Sequence, residues 1–305
     1  MRIIKPSFEI WDQEEGLEGI YKQIERAGRV CYKSEDKITE DSAKDFVDRM
    51  IKLGHGAMLE HGTVYLKIPF GKMLDNGEFE NEALACWFVD NPYSWVKTGG
   101  VGTEDCWYVT SNYRVLIEKD LLHTLQYLCE PTEYHEKRVT IHFVCDRGVS
   151  HEFVRHRVFS FAQESTRYCN YSKDKFGNEL TYICPCWLDY DRVQELTEIA
   201  NRDNKEVYRM GHDESLSMEE RGLCSFVYDM SNHEHGYLFQ ISVGWKPQEA
   251  RAVLPNALKT ELVMTGFVSD WEHFFKLRDA GSAHPQAREL AHPLHEEFKN
   301  RNLLK

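Results

Sequence analysis

The chain has 305 residues, with 37 lysines and arginines against 50 aspartates and glutamates for a net charge of -13; it is 42% hydrophobic and 29% charged. That balance suits a soluble globular enzyme and excludes general nucleic-acid binding, which needs a basic footprint. No apolar run reaches the length of a membrane span, the polar start Met1-Arg2-Ile3-Ile4-Lys5-Pro6 is no signal peptide, and nine scattered cysteines do not form a secreted disulfide framework; a cytoplasmic protein with free thiols is expected.

In chain order, a strand is predicted at Ile3-Ile4 and a helix over 17–29. Ala43, Phe46, Val47, Met50 and Ile51 recur at helical spacing, so a helix is predicted over 39–54, with Thr39 or Asp41 as its cap and Gly54 at its end. Between Gly54 and Gly62 lie His55, Glu60 and His61, which read either as a ligand loop or as histidines capping a turn; the six-residue histidine spacing is not that of a zincin helix. Residues 63–69 alternate as a strand. From about 70 to 136 the character changes: Asn91-Pro92, Gly99-Gly100 and Gly102 mark irregular chain, Trp87, Trp95 and Trp107 read as packing residues, and a helix is predicted across 116–128. No linkers flank this stretch, so it reads as an insertion packed on the core of a single domain spanning 1–305.

Residues 139–145 alternate as a strand that leads into the densest chemistry of the chain. Residues 155–167 carry Arg155, His156, Arg157, Ser160, Ser165 and Arg167 beside apolar Val158, Phe159 and Phe161. A solvated basic face would lack the apolar residues, and a core strand would lack the arginines. A half-buried segment whose cations face an anion satisfies both, since guanidinium forks and hydroxyls bind phosphate through charge-assisted hydrogen bonds. In a chain this acidic, internal salt bridges are the competing reading, but the density of arginines favours a site.

Further on, Cys184-Pro185-Cys186 lacks zinc-knuckle spacing, a polar helix is predicted over 191–210, and Ser217 with Glu220 forms a capping box for a helix through Met230. His233-Glu234-His235 is expected in a surface turn. Pro247 starts a short helix carrying Arg251, closed by Pro255. A second capping box over 269–272 launches a helix whose buried stripe Trp271, Phe274, Phe275 continues to Arg278. A guanidinium there must find acceptors, because a buried unpaired charge is very costly; it either salt-bridges a neighbour or points into a ligand pocket.

The triplet Arg155-His156-Arg157, seven residues, Ser165, one residue and Arg167 resembles the signature of the flavin-dependent thymidylate synthases. Residues 29–31 with the helix to Gly54 and the turn to His61, residues 249–255, and residues 271–278 resemble further blocks of that family in the same order. The resemblance implies an α/β (α+β) fold with a central, mostly antiparallel sheet flanked by helices. It implies a homotetramer that converts dUMP to dTMP with methylenetetrahydrofolate as carbon donor, NADPH as reductant and FAD as cofactor, without a metal. By the same resemblance Arg278 ionises the uracil ring, and Glu152, Arg155, Gln163, Glu164, Ser165, Thr166, Arg167, Arg251 and Arg278 contact substrate. His55, Glu60, Arg155, His156, Arg157, Gln163, Ser269 and His273 contact FAD.

The chain departs from the family pattern at Phe267 and Ser269, where Asn and Arg are usual, at Cys31 for Ser and at Ala57 for Thr. Ser269, at a helix start, still offers a hydroxyl and backbone N–H groups to a phosphate. Nothing in sequence near Cys31 supplies an activating base, so no nucleophilic role is expected of it. Two rival functions remain. One is a metal-dependent phosphohydrolase using His212 and Asp213 with His55, His61 and His233; the other is a non-catalytic nucleotide-binding module built on the same arginines.

Overall fold

The computed structural model describes residues 1–99 and 105–304, so the irregular chain expected at Gly100 and Gly102 lies outside the described residues. Strands β1 (Arg2–Ile4) and β2 (Ser7–Trp11) precede the long helix α1 (Gly16–Tyr32), which buries Ile20, Ile24, Ala27 and Val30. Lys33 ends α1 by adopting φ 46°, a left-handed conformation uncommon for a residue with a Cβ. Helix α2 (Ser42–Lys52) buries the predicted stripe Ala43, Phe46, Val47 and Met50, and Gly54 follows it at φ +69°. The single-turn helix α3 (Gly56–Leu59) leads into β3 (Thr63–Pro69), whose bounds are those the alternation predicts.

Next come α4 (Glu82–Val89), β4 (Trp95–Gly99), β5 (Cys106–Asn112) and α5 (Tyr113–Glu118). The helix predicted across 116–128 is broken: Asp120 takes φ 56°, Leu121 closes back on the Leu116 carbonyl, and Leu122–Tyr127 form only a 3₁₀ turn. Trp107 packs against Phe70, with ring centroids 4.0 Å apart, as expected of a packing residue. Trp87 and Trp95 do not; they are 57% and 44% exposed.

Strand β6 (Arg138–Asp146), helix α6 (Arg147–Phe153), strand β7 (Ser160–Gln163) and strand β8 (Thr181–Ile183) carry the chain through the arginine-rich stretch. The polar helix predicted over 191–210 is two helices, α7 (Tyr190–Arg202) and α8 (Asn204–Gly211). Asp203 between them is extended and caps the second, accepting a hydrogen bond from the Lys205 N–H. Ser217 does cap a helix, α9, but it runs Met218–Ser242, so His233-Glu234-His235 sits inside a helix and not in a turn. Glu234 is buried there, accepting the Leu180 N–H at 2.8 Å and the amino terminus at 3.0 Å. Helix α10 (Pro247–Ala250), strand β9 (Lys259–Phe267), helix α11 (Val268–Arg278) and helix α12 (Pro285–Asn300) complete the chain.

The central sheet has the order β2-β6-β9-β7, with every neighbouring pair antiparallel, as the α+β expectation requires. One face is covered by α6, α11 and α12 through Phe143, Phe153, Met264, Trp271, Phe274 and Phe298. Truncating a buried aromatic such as Trp271 to alanine costs roughly 3–5 kcal/mol. The opposite face meets α1 through Trp11, Ala27, Val30, Ala162 and Val263. A three-stranded antiparallel sheet, β3-β5-β4, has its own apolar cluster with α2 and α4. The short parallel pair β1-β8 is buried with α7, α8 and α9. No helix among the described residues is long and apolar enough to cross a membrane.

Candidate active site

The arginine-rich stretch is a turn between two fixed elements. Asp146 caps α6, its carboxylate accepting the Val149 N–H at 2.8 Å. β7 is held against β9, Ser160 opposite Thr265 and Gln163 opposite Leu262. Phe159 and Ala162 are buried, while Arg155, Arg157 and Val158 face out between the two elements. Residues 165–169 then form a tight turn closed by the Cys169 N–H on the Ser165 carbonyl at 2.9 Å.

The amino-terminal half of this stretch meets the end of α11. With Trp271, Phe274 and Phe275 buried, Arg278 is aimed at α6. Its Nε donates to His156 Nε2 at 3.0 Å, Nη1 donates to the Glu152 carboxylate, and Nη2 donates to the Glu152 carbonyl at 2.7 Å. His156 therefore accepts at Nε2 and keeps its proton on Nδ1. Burial, with help from Arg278 and His273, pushes its pKa down to about 4, so it is a neutral imidazole near pH 7. Three residues predicted for the site, Glu152, His156 and Arg278, are thus in direct contact.

The carboxy-terminal half meets α10 and the turn after it. Arg251 Nη1 donates to the buried Thr166 Oγ1 at 3.3 Å. Ser165 Oγ accepts the Arg167 N–H at 3.3 Å, and the Arg167 guanidinium lies 5.4 Å from the Tyr168 ring. Among the described residues no carboxylate lies within ion-pair distance of Arg155, Arg157, Arg167 or Arg251. In an acidic chain, four exposed guanidinium groups without a carboxylate partner leave uncompensated positive charge at these positions. Gln163 donates to Ser150 Oγ at 2.9 Å and Thr260 Oγ1 at 3.3 Å. Glu164 points inward: it is 2% exposed and accepts the Tyr171 hydroxyl at 3.0 Å and Lys259 Nζ at 2.8 Å.

Elsewhere the predicted residues are more scattered. His55 is exposed just before α3, and the Glu60 carboxylate is held by Arg114 at 2.6 Å. His61 is fully buried, with Nδ1 2.8 Å from Thr265 Oγ1, and burial with Arg138 nearby pushes its pKa down to about 3. The capping box read over 269–272 is shifted by two residues: Phe267 is the cap and its N–H donates to Asp270 at 3.1 Å. Ser269 is exposed within the first turn, and its N–H donates to Glu136 at 3.1 Å, so this N–H is not free for a phosphate as the sequence suggests. His273 is exposed on the same helix. Cys31 donates to Met58 Sδ at 3.8 Å, and burial pushes its thiol pKa up to about 11, in keeping with no nucleophilic role. All nine cysteines are free, and among the described residues no group of three or more His, Cys, Asp or Glu side chains converges to hold a metal ion.

Two residues escaped the sequence reading. Lys259 joins Glu164 to Glu261, and the i, i+2 spacing of Lys259 and Glu261 on one strand face was the available signal. Arg138 donates to the Glu60 carbonyl at 3.0 Å, Thr63 Oγ1 at 3.3 Å and Ser160 Oγ at 3.3 Å, tying the His55–His61 block to the arginine stretch. Burial lowers its pKa to about 10. It opened a strand of apolar residues and gave no pattern of its own.

Comparison with known proteins bears on the same region. The sequence profile of the thymidylate synthase complementing protein family matches residues 130–301, from before β6 through the whole of α12. A flavin-dependent thymidylate synthase of Corynebacterium aurimucosum is 25% identical over 283 residues, covering 92% of this chain and 76% of that protein. Flavin-dependent thymidylate synthases of Pyrococcus furiosus (29% over 158 residues) and Mycobacterium avium (30% over 146 residues) are matched over 52% and 48% of this chain. The chain spans about half the length of these two relatives, 52% and 50%. Because the family profile covers more than half of the chain and includes every residue of the arginine stretch, Arg251 and Arg278, this chain belongs to the thymidylate synthase complementing protein family.

Proposed function

We propose that the protein is a FAD-dependent thymidylate synthase, an enzyme that methylates dUMP reductively to dTMP with methylenetetrahydrofolate as carbon donor and NADPH as reductant. The observation that carries this reading is the division of the arginine stretch between two partners, Arg278 with Glu152 and His156 on one side and Arg251 with Thr166 on the other. Arg167, Arg251 and the Ser165 hydroxyl suit a nucleotide phosphate: each exposed guanidinium offers a fork of donors and has no internal counter-ion. At an effective dielectric near 20, a charge pair at 4 Å is worth roughly 4 kcal/mol before desolvation, so two arginines hold a dianion firmly.

Arg278 suits the activation step. Uracil accepts a one-carbon unit poorly unless electron density is pushed onto C5, and a fixed guanidinium facing N3 and its neighbouring carbonyl favours the anionic ring. Its present acceptors, the Glu152 carboxylate and carbonyl and His156, hold the guanidinium in place before substrate arrives. His156 remains neutral at Nε2 and keeps its proton on Nδ1, so it orients Arg278 without adding charge.

Bound FAD would carry the hydride, while the protein binds and orients it. Arg155 and Arg157 fit its pyrophosphate, being exposed cations without internal carboxylate partners; the Ser269 hydroxyl and His55 and His273 add polar contacts, and Glu60 is turned toward Arg114. A homotetramer sharing residues between subunits fits the spread of these groups over the surface, and residues 70–136 are an insertion within one catalytic domain. The phosphohydrolase reading requires His212 and His233 to meet His55 and His61, and those groups form no such cluster among the described residues. The test is dTMP formation from dUMP, methylenetetrahydrofolate and NADPH, assayed with and without FAD. Flavin-dependent turnover by a yellow protein is expected; a colourless protein that cannot be reconstituted overturns the reading.

A further inference from the structure

Beneath the proposed phosphate loop lies a buried ionic network. Lys259, the first residue of β9, donates through Nζ to Glu164 at 2.8 Å and also to Glu261. Glu164 is 2% exposed, and its other oxygen accepts the Tyr171 hydroxyl at 3.0 Å. Glu261 further accepts Lys33 Nζ at 2.9 Å and pairs with His142 Nε2 at 2.9 Å. Lys33 also pairs with Glu35 at 2.7 Å, so two lysines face three carboxylates and the network adds no positive charge that would attract an anion. Both oxygens of Glu164 are taken inside the protein, and its carboxylate cannot reach a ligand at the surface.

The backbone reinforces this arrangement. The Glu164 N–H donates to the Glu261 carbonyl at 2.9 Å, and the Ser165 N–H donates to the Cys31 carbonyl at 3.0 Å. The next residues are Thr166, which receives Arg251, and exposed Arg167. The direction in which residues 165–167 leave the sheet is therefore set by how Glu164 is held. β9 is hydrogen-bonded on both edges, to β6 and β7, whatever occupies position 259. Loss of the lysine consequently leaves the strand in place and releases the loop.

We propose that Lys259 is a positioning residue that acts through Glu164 to fix the anion-binding loop 165–167, and that Glu164 contributes no direct contact to the nucleotide. The ligand named here, dUMP, rests on the functional reading above; the ordering of the loop does not. A buried carboxylate left without its cation is strongly disfavoured, so the neutral side chain at 259 forces Glu164 to shift toward water and carries the loop with it.

The test uses the FAD-reconstituted protein and the variants Lys259→Met, Lys259→Arg, Glu164→Gln and the Lys259→Met/Glu164→Gln pair. Without nucleotide, trypsin cleavage after Arg167 is expected to accelerate at least tenfold in Lys259→Met and to stay near wild type in Lys259→Arg. With dUMP, Kd and KM are expected to rise about tenfold while kcat changes less than twofold. The pair should be no worse than the poorer single variant, because the two residues act as one unit. If Lys259→Met does not fold, Glu164→Gln carries the same cleavage and Kd readouts at nearly constant volume. Unchanged cleavage and unchanged Kd overturn the proposal, as do additive effects in the pair, which would mean that Glu164 touches the ligand itself. Faster cleavage in a protein whose wild type ignores dUMP supports the positioning role and refutes the functional reading instead.

Discussion

The two arginines that meet the stretch 155–167 from elsewhere in the chain, Arg278 and Arg251, sit in opposite electrostatic settings. At one end Arg278 is nearly sequestered: its guanidinium has acceptors on Glu152 and His156, and its side chain is 16% exposed. At the other end Arg167 and Arg251 are exposed, and among the described residues neither has a carboxylate partner. A cation already paired to a carboxylate is poorly placed to recruit a dianion from solution but well placed to hold one geometry. An exposed cation without a partner is free to recruit. The difference separates a group suited to act on a bound ring from groups suited to bring the ligand in.

The largest effect should follow from breaking the paired side. Arg278→Ala is expected to lower dUMP-dependent NADPH oxidation by roughly 10²–10³-fold, the usual consequence of deleting a preorganised electrostatic group, while dUMP binding stays measurable by calorimetry. Glu152 is 26% exposed at its side chain, so water can solvate the carboxylate that Arg278 leaves, and the fold should persist. Undiminished turnover in a folded Arg278→Ala protein would remove the distinction between the two halves.

Acid should act next, through two buried histidines, His156 in the Arg278 contact and His61 against Thr265. His156 and His61 have pKa values pushed down to about 4 and about 3 by burial, against an ordinary value of 6.5. The unfolded chain takes up protons as pH falls below 6.5 and the folded chain refuses them, so their contribution is complete above that value and is lost toward pH 4. Between pH 7 and pH 5 the loss should be roughly 2 kcal/mol per histidine. Glu261 is buried but held well below the usual carboxylate range by His142, Lys259 and Lys33, and it adds its own loss only below its ordinary value of 4.5. Urea unfolding at the two pH values measures the difference, and His156→Asn should remove its own share of it, leaving those of His61 and of His135, whose pKa burial also lowers. A pH-independent midpoint would contradict the buried neutral state of both rings.

How far the sequence showed this arrangement depended on whether a residue's role is local. β3 was legible to the residue because Val64, Leu66 and Ile68 alternate with polar neighbours, and Arg278 was legible because it continues a helical stripe. β5 was not: every residue from Cys106 to Asn112 is buried, so a strand covered on both faces shows no alternation. The break at Asp203 hid in a polar run, where a capping aspartate looks like any solvated one. At the site, the arginines were visible as a cluster, whereas the inward turn of Glu164 depends on Lys259, 95 residues away in the chain. A long-range pair of this kind leaves no trace in spacing.

The open side should respond more modestly. Arg167→Ala and Arg251→Ala are each expected to weaken dUMP binding about 10–100-fold with kcat largely kept, since a charged hydrogen bond to phosphate is lost and no carboxylate is stranded. Arg167→Ala should be the better tolerated of the two in the free protein, because its guanidinium makes no hydrogen bond within the described residues, whereas Arg251→Ala takes the 3.3 Å donor from the buried Thr166 Oγ1. A fall in kcat equal to the fall in affinity would move these arginines into the chemical step and merge the two halves.

Salt provides the smallest and sharpest separation. At 1 M ionic strength the screening length falls to about 3 Å, so interactions between exposed charges fade while those inside a closed contact persist. The binding penalty of Arg167→Ala, measured as the ratio of variant to wild-type Kd for dUMP, should therefore shrink several-fold between 0.05 and 1 M salt, as roughly expected for a screened surface charge. The turnover penalty of Arg278→Ala, measured at saturating dUMP over the same range, should stay nearly constant, because that guanidinium is enclosed by Glu152 and His156. If both penalties shrink together, Arg278 is exposed to solvent ions in the working enzyme and the contact with Glu152 opens on binding. If neither shrinks, Arg167 is enclosed when the ligand is bound, and the open half closes over the nucleotide.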